Sequence, residues 1–105
     1  MKIYNTQQYN NNLNFTSRFN TNIYQTKRAL NALNRAVSEK KGFEDYFDSF
    51  ISRVANDNKD DVLELTQFEK YFVVDNVRTN QSFKIRNKNL IEGLESFILF
   101  NKKSS

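Results

Sequence analysis

The 105-residue chain has no cysteine, no histidine, no proline, no tryptophan and only two glycines. Without cysteine there is no disulfide framework, no thiolate nucleophile and no Cys-based metal site. Without histidine the commonest general base and the commonest transition-metal ligand are missing. Hydrolytic triads and zinc or non-haem iron chemistry therefore lose their usual residues. Carboxylates, Lys, Ser and Tyr remain, and none is arranged suggestively. The expectation is a protein that is not an enzyme and uses no metal or cofactor. No apolar run approaches the length of a membrane-spanning helix, and the N-terminus lacks a signal-peptide core. A soluble, cytoplasmic protein with no membrane partner is expected.

What is present is aromatic. Hydrophobic residues make up only 38%, but ten Phe and five Tyr carry large area per residue, so a short apolar list still supplies one modest core. Charge is distributed in blocks. Residues 1–42 hold seven basic groups and one acid, residues 43–76 three and nine, residues 77–105 six and two. This basic–acidic–basic order implies faces of opposite sign.

Residues 1–20 are rich in Asn, Gln, Thr and Ser, which favour turns over regular elements. Tyr4, Tyr9, Phe15 and Phe19 recur through them, which solvation alone would not require. An extended arm whose Phe15 and Phe19 dock on a surface is the expectation, with residues 21–105 as a single small domain.

Periodicity predicts the rest. Ile23, Ala29, Leu30, Leu33, Ala36 and Val37 form the stripe of a first helix, with Asn22 and Gln25 as a capping box and Gly42 as a left-handed stop. Phe43, Tyr46, Phe47, Phe50, Ile51 and Val54 form a second, joined to the first as an αα-hairpin. The period then changes to two: Leu63 and Leu65, Phe72 and Val74, Phe83 and Ile85 alternate with polar residues. A three-stranded antiparallel meander with these six side chains inward follows, with Glu64 and Asp75 outward and opposing Lys84 or Arg86. Leu90, Ile91, Leu94, Phe97 and Ile98 line a closing helix, and Leu99 and Phe100 fall off its stripe. The fold class is α+β: arm, αα-hairpin, three-stranded antiparallel meander, C-terminal helix.

The stretch from Asn56 to Gln67 resembles an EF-hand calcium loop, with Asn56, Asn58 and Asp60 in its first, third and fifth places. It departs from that family at the first ligand (Asn for Asp), the sixth residue (Asp for Gly) and the twelfth (Gln for Glu). No calcium is expected. If the turn led on into a helix through "LTQFEKYF", the fold would be mostly α.

Two surfaces remain. Phe15, Arg18, Phe19, Leu99 and Phe100 are the candidate contacts for a protein partner, or for a second copy in a homodimer. Arg18, Lys27, Arg28, Arg35 and Arg86 are the candidate contacts for nucleic acid, a reading favoured by basic residues beside aromatics but carrying no recognition motif. The leading expectation is a small protein-interaction module, an adaptor or inhibitor of the kind phages encode. A basic nucleic-acid-binding protein is the alternative.

Overall fold

The computed structural model describes residues 18–57 and 61–103. Its elements are α1 (Tyr24–Ser38), α2 (Tyr46–Asp57), β1 (Leu63–Gln67), β2 (Tyr71–Asn76), β3 (Gln81–Arg86) and α3 (Leu90–Lys103), the last entered through one 3-10 turn at Asn87–Asn89. This is the α+β order expected from the periodicity. "LTQFEKYF" divides between β1, a tight turn and β2, so the mostly helical alternative does not hold.

The sheet is an antiparallel meander in the order β1-β2-β3. Leu63, Leu65, Phe72, Val74 and Ile85 are buried on one face, and Phe83 packs against the same cluster. α1 covers β1, α3 covers β3, and α2 rests on both helices. Phe50, Ile51, Leu33, Leu94 and Phe97 fill the space between them. The opposite face of the sheet carries Glu64, Thr66, Tyr71, Val73, Asp75, Lys84 and Arg86, none of them buried.

Three local expectations are corrected. Asn22 does not cap α1. The N-cap is Ile23, without a side-chain bond, because Asn20 has already turned the chain: its carbonyl accepts the Ile23 N–H and its Oδ1 accepts the Asn22 N–H. Gln25, freed from the capping box, donates to Thr66 Oγ1. The acids of the outer face do not oppose bases. The register sets Glu64 against Asp75, Val73 against Lys84 and Tyr71 against Arg86, and Asp75 instead accepts from the Ser82 hydroxyl. Phe43 precedes α2 in a turn that Gly42 makes possible with a φ of +88°, where an L side chain would be strained.

The start of the described chain is structural. Arg18 O accepts the Leu63 N–H at 2.6 Å and Asn20 N–H donates to Leu63 O at 2.8 Å. This places Phe19 in a parallel bridge with Leu63. The Phe19 ring is 3% exposed within the core, and the Arg18 guanidinium donates to the Ala55 carbonyl in the last turn of α2. That carbonyl lacks an intrahelical partner, as the last four of any helix do.

Candidate functional site: an open strand edge beside the last helix

The two edges of the sheet are unlike, and the hydrogen-bond phase shows why. On β1, Val62 O accepts the Val77 N–H and Phe68 N–H donates to Tyr71 O. In an antiparallel ladder the bonded residues alternate, so the even residues of β1 face β2 and Leu63 and Leu65 turn their backbone groups outward. Of the three outward residues, Leu63, Leu65 and Gln67, the first two are engaged. Leu63 holds the Arg18–Asn20 segment through N–H and C=O, and Leu65 N–H donates to Thr26 Oγ1, 1% exposed on α1.

On β3 the phase runs the other way. Asn87 N–H donates to Lys70 O at 3.0 Å, extending the register in which Tyr71 faces Arg86. Residues 81, 83 and 85 therefore bond β2, and Ser82, Lys84 and Arg86 point their N–H and C=O groups away from the sheet. Among the described residues, no other strand or α-helix bonds the N–H groups of that row or the Ser82 and Lys84 carbonyls, while the Arg86 carbonyl begins the 3-10 turn. The row is a template for a further strand.

Beside it runs a groove of about 320 Å³, walled by Phe83, Lys84 and Arg86 on β3 and by Asn89, Glu92, Gly93 and Ser96 on α3. Its narrowness comes from Gly93: a Cβ there would lie 2.9 Å from Ile85 Cγ2, so only glycine lets the helix approach the strand this closely. Leu99 and Phe100 follow Ser96 by three and four residues and continue the same flank of α3. Leu99 is 60% exposed. Phe100 leans on Phe83, with ring centroids 5.1 Å apart, and packs partly against the core.

The groove is bounded by cations. Lys84 and Arg86 are exposed on the outer side of β3, and Lys88 follows in the 3-10 turn. The ion pairs formed among the described residues, Arg53 with Glu95 and Arg78 with Asp61, use none of them. Lys84 Nζ sits 4.5 Å above the Tyr71 ring, which stacks on Phe68 at 5.0 Å. Among the described residues, Glu92, on the facing wall, is the one acid lining the groove.

A second polar cluster lies on the α2–α3 side. Tyr46 O–H donates to Glu95 Oε2, and Arg53 donates from Nη1 at 2.9 Å and from Nη2 to Oε1 at 3.3 Å. Burial, then the bond to Glu95, pushes the phenol above its usual range. The bond from Tyr46, then that from Arg53, holds the Glu95 carboxyl below its usual range. Every member is committed to another, so the cluster clasps α2 to α3.

The residues picked out from the sequence separate accordingly. Leu99 and Phe100 follow the groove-lining Ser96 by about one turn of α3, and Phe100 touches the groove-lining Phe83. Phe19 is in the core and Arg18 caps α2, so neither presents a free contact. Phe15 lies outside the described residues. Lys27, Arg28 and Arg35 are exposed on α1, where Arg28 lines a separate notch with Gln25 and Gln67. α1 covers β1, whereas Arg86 belongs to β3 at the opposite edge. The five basic residues thus form no single patch. The Ser82–Lys84–Arg86 backbone row was not foreseen. Its signal was the Lys84/Arg86 alternation in a last strand with no successor.

Among the described residues no helix is long and apolar enough to cross a membrane, and no group of three or more acids could hold a metal ion. Comparison with protein-family models, with curated proteins and with solved structures finds no match.

Proposed function

We propose that this chain is a non-enzymatic protein-interaction module that holds its partner along the β3–α3 flank. The observation that carries the reading is Leu99, a large apolar side chain 60% exposed about one helical turn beyond Ser96, which lines the groove. Scattered exposed apolar residues are ordinary on a protein surface; one that continues a groove beside an unpaired strand edge supports an interaction site. An adaptor or an inhibitor acting by occlusion would need nothing more. Action in the cytoplasm belongs to the same proposal and rests on the cysteine-free composition.

The test is site-specific photocrosslinking in the cells that naturally make the protein. A photoreactive residue at Leu99 is expected to give a discrete adduct. The same residue at Tyr24, which is 75% exposed on α1, should not. An adduct of twice the chain mass would make the partner a second copy. No discrete adduct from position 99, or equal adducts from both positions, rejects the surface.

A further inference from the structure

From the open edge we infer that the partner contributes an extended, acidic segment that adds to β3 as a fourth strand. This rests on the β3–α3 flank being the working surface and specifies what sits there.

The backbone supplies the attraction. Ser82, Lys84 and Arg86 offer three N–H groups, and Ser82 and Lys84 two C=O groups, on a 1-3-5 spacing, the pattern that strand-addition domains present to peptides; the Arg86 carbonyl is taken by the 3-10 turn it caps. The other edge is closed at Leu63 and Leu65, so addition is directed to one side. The groove supplies side-chain selection. Residues of an added strand alternate between the two faces of the sheet. Those on the helix side meet Phe83, Gly93 and Ser96, which leave room for small or medium apolar groups. Those on the outer side stand opposite Lys84 and Arg86.

Charge decides the occupant. Lys84 and Arg86 lie on one face two residues apart, with Lys88 beyond and, among the described residues, no acid paired with any of the three. Oppositely charged residues directly across a strand pair are favourable and like charges unfavourable. Two acids separated by one apolar residue complement this row. A second copy does not: antiparallel pairing of two β3 edges about Lys84 sets Lys84 against Lys84 and Ser82 against Arg86. Edge lysines are a known device against self-pairing, and here they reject the chain's own edge while admitting an acidic one. Glu92 on the helix wall repels acid on the inner side, which reinforces the alternation.

The experiment uses the full-length chain, isotopically labelled, with three end-blocked peptides: alternating glutamate and valine, the same residues with the glutamates consecutive, and alternating lysine and valine. A single-stranded oligonucleotide is the fourth probe. The alternating acidic peptide is expected to slow amide hydrogen exchange at Ser82, Lys84 and Arg86 and leave Phe83 and Ile85 unchanged, since those already bond β2. K84E/R86E should weaken it by about tenfold and favour the lysine peptide instead. Lys84→Pro should abolish binding while keeping the fold, because its N–H points to the open edge rather than to β2.

A peptide that shifts Ser96 and Leu99 without slowing the β3 amides overturns strand addition and leaves the flank as the binding surface. Protection by the oligonucleotide alone overturns the acidic peptide in favour of nucleic acid. No response to any probe overturns the inference too, and crosslinking from Leu99 decides the module reading separately.

Discussion

Gly93 on α3 lies against Ile85 on β3 so closely that a Cβ on the glycine would stand 2.9 Å from Ile85 Cγ2 and 3.5 Å from its Cα. Ile85 is fully buried and cannot swing aside. Gly93→Ala would gain up to about 1 kcal/mol in helix propensity but overpack this contact at a cost of about 1–3 kcal/mol. A net loss of stability is expected, read as a lower urea midpoint with an unchanged slope. In an Ile85→Ala background, where Cγ2 is gone, the same change should be neutral or stabilising. A midpoint raised by Gly93→Ala in the natural background would mean that α3 can lift from the strand.

The segment Arg18–Asn20 is expected to be required for stability. It brings two backbone bonds to Leu63, the buried Phe19 ring and the Arg18 bond to the end of α2. Phe19→Ala should cost about 3 kcal/mol by the usual cost of emptying a buried aromatic site. A chain beginning at Thr21 should unfold well below one beginning at Arg18. Equal midpoints for the two shortened chains would show that these three residues contribute nothing.

Asp61 and Arg78 are expected to couple strongly. The Asp61 side chain is 1% exposed and meets Arg78 Nε at 2.8 Å. This ties the residues before β1 to the β2–β3 turn, which Asn76 holds by accepting the Arg78 and Thr79 N–H groups and Asn80 completes at a φ of +59°. Arg78→Ala leaves a buried carboxylate without its cation, for which about 3 kcal/mol is typical. Adding Asp61→Asn should recover part of that loss, as a double-mutant cycle would read. Additive costs would show that the two do not act as a pair.

The fold was legible where periodicity is local. Six inward strand positions and the apolar stripes of three helices follow from spacings within a few residues of one another. Apart from Phe43, which the turn at Gly42 leaves ahead of α2, the failures involve distant partners. Asn22 has the right chemistry for a cap, but Asn20, fixed by its bond to Leu63, turns the chain first. Glu64 and Asp75 look like partners for Lys84 and Arg86 until the hairpin lengths set the register, and that register places the two acids opposite each other. Thr26, which no local pattern singles out, is buried and accepts the Leu65 N–H. The candidate site was half legible for the same reason. Leu99 and Phe100 stand out as excess apolar residues on one helix. Which strand edge stays open is decided by Phe19 and Thr26, more than forty and nearly forty residues from the strand positions they close.

The Tyr46–Glu95–Arg53 clasp should make stability fall at low pH in a way that substitution can isolate. Tyr46 first and Arg53 second hold the Glu95 carboxyl below its usual range. A depressed folded-state pKa contributes stability that is present above the unfolded value, near 4.3, and is lost as pH falls through the folded one. The side chains of the ion pair are 45% and 43% exposed, so solvent screening holds the effect of Glu95→Gln at neutral pH to about 0.5–1 kcal/mol. The difference between natural chain and variant should therefore be constant from about pH 6 to pH 9 and shrink below about pH 4. Tyr46 acts in the opposite sense. Its raised phenol contributes below its usual value, near 10, and loses that contribution only as pH climbs through the raised one. Tyr46→Phe removes the leading cause of the Glu95 shift and should move the acid loss upward in pH. Urea titrations of the three proteins at pH 7 and pH 3 measure both effects. An undiminished difference between the natural chain and Glu95→Gln at pH 3 would mean that packing of the longer contact, and not the charge on Glu95, joins α2 to α3.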